Sequence, residues 1–174
     1  MPTRSQVTKF ERMILPHVEA AYNLARWLTR NDHDAEDVMQ EAFLRAFKFF
    51  EGFQGMNGRV WLLKIVRNTG YSWLSRNRAQ QGLPLEENTL VSEEKGLNPE
   101  EKLIQNANGE ILRKALEALP SEFREVVVLS DLEGLHYKEI SEVAGISLGT
   151  VMSRLARGRE KLRQTLAKRI DKES

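Results

Sequence analysis

The residues that could carry chemistry are few, and they favour binding over catalysis. Carboxylates and an imidazole cluster from Asp32 to Glu41. They could be imagined as a metal site, but a helix start with acids at its positive end accounts for them. Cysteine is absent, and the three histidines, His17, His33 and His136, lack the spacing of metal ligands. The sequence has no glycine-rich phosphate loop either, so we expect no enzyme activity and no cofactor.

Basic residues are concentrated in two segments, although the formal net charge is only +1. From Arg154 to Lys172 there are eight basic residues against Glu160 and Asp171. From Gly52 to Leu85 there are five basic residues and no acid. These segments are the two candidate surfaces for a polyanion.

Both segments fall in helical patterns. Apolar residues recur at helical spacing along most of the chain, and 41% hydrophobic with 29% charged residues is typical of a folded protein. The sequence therefore predicts an all-α fold of two small helical modules, residues 7–80 and 99–170. A flexible acidic linker at 81–98 joins them, and Asn98 and Pro99 resemble the next helix start. Since there is no signal peptide and no membrane-length apolar run, we expect a cytoplasmic location without membrane insertion.

The C-terminal module ends in a predicted helix-turn-helix. Pro120 ends one helix, and Ser121 is expected to cap the next, which runs to Leu132. The expected order after that is a helix at Tyr137–Ala144, Gly145 in the turn, Ile146 as a buried plug, and a last helix capped by Ser147 that reaches about Lys168.

The last helix has two faces. One is apolar and should pack: Val151, Leu155, Gly158 and Leu162. The other is offset by about 100° and carries hydroxyls and cations: Thr150, Ser153, Arg154, Arg157 and Lys161. These groups suit bases and phosphates in a DNA major groove, although a solvated basic helix is the alternative.

The helix that opens at Asp32 also has two faces. The first supplies apolar surface: Val38, Ala42, Phe43, Ala46, Phe49 and Phe50. The second is a polar stripe: Asp37, Gln40, Glu41, Leu44 and Lys48. This stripe could be a protein docking face or simply a solvated helix face.

The acid-free segment interleaves aromatic and basic residues, namely Phe53, Trp61, Tyr71 and Trp73 with Arg59, Lys64, Arg67, Arg76 and Arg78. Cations can follow a nucleic-acid backbone while rings stack on unpaired bases. The pattern therefore indicates single-stranded or opened DNA as ligand. Core packing is the alternative, and it is the favoured one for Trp61.

Three runs of residues resemble one family. Leu119–Arg159, with its Gly149-Thr150-Val151 start to the last helix, resembles the promoter-reading domain of bacterial RNA polymerase sigma factors. It is also similar to the DNA-binding domain of LuxR-type regulators. Asp34–Phe47 resembles the polymerase-binding helix of the extracytoplasmic-function group of sigma factors, and Trp61–Asn68 resembles the part of such factors that opens and reads the −10 element.

The resemblance implies a division of roles. Residues expected to read the −35 element in the major groove are Lys138, Thr150, Ser153, Arg154, Arg157 and Lys161. Residues expected to act at the −10 element are Asn57, Arg59, Trp61, Lys64, Arg67, Asn68, Tyr71 and Arg76. Residues expected to bind core RNA polymerase are Asp34, Asp37, Gln40, Glu41 and Leu44. The implied partners are core RNA polymerase, promoter DNA and an anti-sigma factor.

Some positions depart from the family pattern. Met152 stands where Lys or Arg is usual, and His136 stands where Ser or Thr usually caps a helix. Gly58 replaces a usual Phe, and Ser72 a frequent Asp. The alternative function is a free-standing, LuxR-like helix-turn-helix transcriptional regulator whose N-terminal module senses a ligand or dimerises.

Overall fold

The computed structural model describes residues 3–53, 57–80 and 107–173, and the regular structure in those ranges is helical. The prediction of an all-α fold with two helical modules is therefore confirmed. The predicted linker at 81–98 and the predicted helix start at Asn98 and Pro99 lie outside the described residues.

The N-terminal module is a helical bundle. Its elements are α1 (Arg4–Ile14), a 3₁₀ turn (Leu15–His17), α2 (Val18–Thr29), α3 (Asp32–Phe49), a second 3₁₀ turn (Phe50–Gly52) and α4 (Gly58–Gln80). Arg30 takes the left-handed conformation, with φ at 58°, and ends α2. Asn31 then caps α3, since its side-chain oxygen accepts a hydrogen bond from the backbone N–H of Asp34 at 2.9 Å.

Helices α2, α3 and α4 pack around the core of this module. Its fully buried side chains include Leu24, Val38, Leu62, Leu63 and Val66. Burying each of them stabilises the fold by about 1.5–3 kcal/mol. Phe49, which the sequence analysis placed on the apolar face of α3, is the last residue of that helix and is 58% exposed.

The C-terminal module contains the predicted helix-turn-helix. Its elements are α5 (Ala107–Ala118), α6 (Ser121–Val127) with a π-helical turn (Val128–Leu132), α7 (Tyr137–Ala144) and α8 (Leu148–Glu173). Two details differ from the prediction. Pro120 is the cap of α6, and its carbonyl accepts the N–H of Phe123 at 3.0 Å, so Ser121 is the first helical residue and is buried. Helix α8 also continues past Lys168 to Glu173.

The two modules are packed against each other, which the sequence analysis did not predict. Helix α4 lies against α7, and α2 lies against α6 and the π-helical turn. The basic segment on α4 and the helix-turn-helix therefore share an internal boundary in this structure.

Candidate nucleic-acid and polymerase interface

The turn of the helix-turn-helix is built from local hydrogen bonds. Gly145 has φ at 68°, a conformation that glycine adopts without steric cost. The backbone N–H groups of Gly145 and Ile146 donate to the carbonyl of Ser141 at 2.9 and 3.2 Å. Ser147 then caps α8, since its hydroxyl oxygen accepts the N–H of Thr150 at 3.2 Å. Ile146 packs on the core but is only partly buried.

Helix α8 buries its predicted apolar face and exposes the basic one. Val151, Leu155 and Gly158 are buried, and Leu162 packs on the core. Gly158 is needed for close approach, because a Cβ there would lie 3.0 Å from a methyl group of Val127 on α6. The predicted packing face is therefore confirmed.

The predicted −35 residues differ in their exposure to solvent. Lys138 on α7 and Ser153, Arg157 and Lys161 on α8 are exposed, whereas Thr150 is half-buried. The side chain of Arg154 is 26% exposed and lies 4.0 Å from the carboxylate of Glu122. We call this set of residues the α8 face.

Not every cation of α8 belongs to the α8 face. Arg159 makes hydrogen bonds to both carboxylate oxygens of Asp131, at 2.7 and 3.1 Å, and to Ser130 at 3.3 Å. The hydrogen bond to Asp131 raises the pKa of Arg159, so its charge is held against the π-helical turn. A count of cations along the sequence cannot show that Arg159 is paired with Asp131 while Arg157 is exposed.

Helix α4 carries most of the residues predicted for the −10 element. Lys64, Asn68 and Arg76 are exposed, and Arg67 and Tyr71 are half-buried. The guanidinium carbon of Arg67 lies 4.3 Å from the centroid of the Tyr71 ring, a cation–π contact. We call this set the α4 face. Residues 54–56, which precede α4 in the chain, lie outside the described residues.

Trp61 lies in an aromatic cluster. Its ring centroid is 5.0 Å from that of Phe53 and 6.1 Å from that of Phe50, and Phe50 is buried. Core packing, which the sequence analysis favoured for Trp61, is what these contacts support.

The middle of the α4 face is paired with a carboxylate of the C-terminal module. Glu125 of α6 is 1% exposed, and its carboxylate lies 3.3 Å from Nε of Arg67 and accepts a hydrogen bond from the hydroxyl of Tyr71. Burial raises the pKa of Glu125, and Arg67 and Tyr71 act in the opposite direction. Burial, and after it the charge of the same carboxylate, raise the pKa of the Tyr71 phenol.

The N-terminal end of α4 is paired in the same way. Glu139 of α7 lies 3.7 Å from a guanidinium nitrogen of Arg59 and accepts a hydrogen bond from the amide of Asn57 at 3.1 Å. Asn57 also caps α4, accepting the N–H of Val60 at 3.1 Å. Glu139 has a lowered pKa, chiefly because it accepts the backbone N–H of His136.

Two more acids of the C-terminal module contact α2 and α4. Glu117 lies 3.6 Å from Arg26, and its carbonyl accepts a hydrogen bond from Arg30 at 3.3 Å. Glu133 accepts a hydrogen bond from Asn23 at 3.4 Å, and its carbonyl accepts one from Arg59 at 3.4 Å. None of these acids was among the predicted site residues.

The predicted docking stripe lies on the outer side of α3. Leu44 is 74% exposed, Gln40 is exposed, and Asp37 is half-buried. Burial and the neighbouring charge of Asp37 raise the pKa of Asp34. Glu41 is held by Arg76 at 2.8 Å and by Arg45 at 3.3 Å, so it also anchors the α4 face.

Among the described residues, no group of three or more candidate metal ligands is placed to hold a metal ion. Asp32, from the acidic start of α3, is paired with Arg26 at 2.7 Å. No described helix is long and apolar enough to cross a membrane.

Comparison with known families identifies the two modules. The family described as sigma-70 region 2 matches residues 13–80, and the family described as sigma-70 region 4 matches residues 109–162. The chain is 31% identical over 153 residues to the extracytoplasmic-function RNA polymerase sigma factor SigW of Bacillus subtilis, covering 83% of this chain and 82% of the relative. This chain belongs to the extracytoplasmic-function sigma factors. The family is non-enzymatic and directs promoter-specific initiation of transcription.

Other relatives agree with this assignment. The sigma factor is 37% identical over 167 residues to the sigma factor SigE of Mycolicibacterium smegmatis, covering 95% of this chain but 64% of the relative. Its structure is similar to that of the sigma factor RpoE from Bartonella quintana, solved in complex with the anti-sigma factor NepR. That match has a TM-score of 0.71 and 25% identity and covers 91% of this chain and 97% of the other.

Proposed function

We propose that this sigma factor divides its work among three surfaces: the α3 stripe binds core RNA polymerase, the α8 face reads the −35 element, and the α4 face captures the opened −10 element. The observation that carries the proposal is Leu44, which is 74% exposed between the polar groups of the stripe. A large apolar side chain left in water at the centre of a polar helix face is suited to a protein partner. A free-standing regulator has no evident use for it.

The α8 face supports reading of duplex DNA. The first turns of α8 present Thr150, Ser153 and Arg157 beyond the turn at Gly145, where a recognition helix enters a major groove. Arg157 can fork onto guanine or phosphate, and Lys138 and Lys161 extend the positive surface on either side.

The α4 face supports binding of an unpaired strand. Lys64 and Arg76 are exposed cations that can follow a backbone, Asn68 is an exposed amide, and the Tyr71 ring is available for stacking once uncovered. We assign Trp61 to the support of this face, because it packs against Phe50 and Phe53.

We further propose a cytoplasmic location, where core polymerase and promoter DNA are found, and an anti-sigma factor as the regulator. The boundaries 7–80, 81–98 and 99–170 remain our proposal for the domain limits. The alternative remains a free-standing helix-turn-helix regulator, which would bind specific duplex DNA without polymerase.

The decisive experiment is binding of purified protein to core RNA polymerase. We expect submicromolar affinity for the wild type and a loss of about tenfold or more in the double variant Gln40→Ala/Leu44→Ala, since an exposed apolar anchor and its polar neighbour are removed. Glu36→Ala, an exposed position on the same helix outside the stripe, is the matched control. Absence of core binding by the wild type, together with specific duplex binding by the protein alone, would reject the proposal in favour of the regulator.

A further inference from the structure

Helix α8 carries exposed apolar side chains at the end that is proposed to enter the major groove. Among the described residues of α8, three large apolar side chains are exposed: Leu148 at 42%, Met152 at 57% and Ile170 at 55%. Leu148 and Met152 lie in the first two turns, where a recognition helix meets base edges. A single exposed apolar side chain is ordinary on a protein surface, but two neighbours on a DNA-reading helix indicate a ligand contact.

These side chains form a row that is separate from the cations of the α8 face. Met152 follows Leu148 by four residues and precedes the exposed Ala156 by four, and residues at this spacing are neighbours on a helix surface. We call Leu148, Met152 and Ala156 the apolar row. At about 100° per residue, Ser153 lies between this row and Arg157. The outward side of α8 therefore has an apolar half and a polar, basic half.

The surroundings of the apolar row limit what it can bind. Gly149 is exposed beside Leu148 and places no side chain between the row and a ligand. From Leu148 to Ala156 the helix rises by about 12 Å, the length of about three to four base pairs. Glu160 follows one turn later, and its exposed carboxylate would repel phosphates, so close contact with DNA ends before it. The apolar row therefore suits a short stretch of base edges.

The chemistry of Met152 favours one base over the others. The family resemblance implies Lys or Arg at this position, and such a cation could donate hydrogen bonds to guanine or to phosphate. A thioether donates no hydrogen bond and accepts only weakly, so it cannot replace that contact. The apolar group that a base presents in the major groove is the C5-methyl group of thymine. The unbranched, flexible side chain of Met152 is able to pack against it.

We infer that Met152, flanked by Leu148 and Ala156, packs against thymine methyl groups and so sets a preference for thymine within the −35 element. This inference rests on the proposed reading of that element by the α8 face, and it adds a specificity contact outside the predicted −35 residues. Ser153 and Arg157 present hydrogen-bonding groups to one part of the element, and the apolar row presents a methyl-binding surface to another.

The first test removes methyl groups from the DNA and leaves the protein unchanged. Wild-type holoenzyme selects promoters from a library randomised at the −35 and −10 elements, and each thymine of the selected −35 element is then replaced by uracil. Uracil differs from thymine by the C5-methyl group alone. We expect uracil to weaken holoenzyme binding about three- to fourfold at the positions that meet Met152, which is the size expected for one buried methyl group.

The second test links the uracil effect to Met152. Met152→Ala should bring binding of the uracil promoter to within about 1.5-fold of the thymine promoter, because the shorter side chain no longer reaches the methyl group. Ile170→Ala is the matched control, since it removes a similarly exposed apolar side chain from the far end of α8 and should keep the full uracil effect. Loss of the uracil effect in both variants would reject a specific contact by Met152.

A third variant tests whether residue 152 chooses the base. Arg can form two hydrogen bonds to guanine, so selection with Met152→Arg should replace thymine by guanine at the uracil-sensitive position and leave the other positions unchanged. Residue 152 is exposed, so this variant should keep the melting temperature of the wild type. An unchanged selected sequence would show that residue 152 does not face a base, and the inference would be wrong.

The outcomes separate this inference from the proposed function. A selected −35 element without thymine, or one whose thymines can all become uracil without loss of affinity, would reject thymine contact by Met152 and leave promoter reading by the α8 face standing. If holoenzyme forms normally but selects no −35 sequence at all, the proposed role of the α8 face fails together with this inference.

Discussion

Two nearby arginines on α8, Arg157 and Arg159, have different surroundings. Arg157 is exposed on the α8 face, whereas Arg159 is held by Asp131. We expect Arg157→Ala to weaken promoter binding by the holoenzyme about tenfold with no change in melting temperature. Arg159→Ala should lower stability by about 0.5 kcal/mol, the usual size for a partly exposed ion pair, and leave promoter affinity nearly unchanged.

Promoter binding by reconstituted holoenzyme and thermal unfolding followed by circular dichroism provide the two measurements. The prediction would be contradicted if the two variants lost promoter affinity equally. That result would mean that the ion pair with Asp131 does not hold Arg159 away from DNA.

Single residues also show what sequence patterns can and cannot reveal. The faces of α8 were predicted because side chains on one helix have a fixed relation to each other. The pairing of Arg67 with Glu125 was not predicted, because the two are far apart in sequence and nothing in the helical period relates them. One clue was present: Arg124 and Glu125 interrupt the otherwise apolar run Phe123–Leu129, and a charged side chain within a buried run requires a partner.

Among the elements, α1 and α4 approach closely at Gly58. A Cβ at this position would lie 2.6 Å from the carbonyl oxygen of Met13, which is backbone and cannot rotate away. The family resemblance implies Phe here, so this departure coincides with a contact that leaves no room for a side chain. We expect Gly58→Ala to lower the free energy of unfolding by about 1–3 kcal/mol.

Urea unfolding of Gly58→Ala beside Gly52→Ala measures this effect. A Cβ at Gly52 would meet nothing within 4 Å, so the control change should stay within about 0.5 kcal/mol of the wild type. Equal stability of Gly58→Ala and the wild type would show that α1 moves away from α4 at little cost.

Element boundaries were predictable where a local residue sets them. The start of α3 at Asp32 follows from local capping, and the end of α7 at Ala144 follows from Gly145. The start of α6 was misplaced by one residue because Pro120, with its fixed φ, takes the capping position that Ser121 was expected to fill. Helix α8 outlasts its predicted end because Arg169 to Glu173 contain no glycine or proline to stop it.

At the scale of the whole molecule, the sequence indicated two modules but not their mutual packing. The segment from Gly52 to Leu85 has no acid of its own, yet two of its cations, Arg59 and Arg67, are paired with acids from another module. A count of charges along the sequence describes each module by itself and does not show the ion pairs between modules.

The packing of the two modules depends on pH through the protonation of Glu125. Burial of the Glu125 carboxyl raises its pKa above the ordinary 4.5. The positive charges of Arg67 and Arg154 and the hydrogen bond from Tyr71 lower the pKa, but their effect is smaller than that of burial. A proton on Glu125 thus favours the packed arrangement of the two modules. This stabilisation is complete below pH 4.5 and is lost as pH rises through the raised pKa, by at most about tenfold per pH unit in the ratio of packed to separated modules.

Energy transfer between dyes at Glu36→Cys and Glu142→Cys, measured across this pH range, tests the link. Glu125→Gln is the matched control, since it keeps the shape of the side chain but cannot ionise. Glu139 acts in the opposite direction, because its pKa is lowered and its contacts weaken as pH falls. Since Glu139 is present in both proteins, its effect cancels when the two curves are compared. We expect the modules of the wild type to separate relative to those of Glu125→Gln as pH rises. Parallel energy-transfer curves for the two proteins would show that Glu125 does not change its protonation when the modules separate.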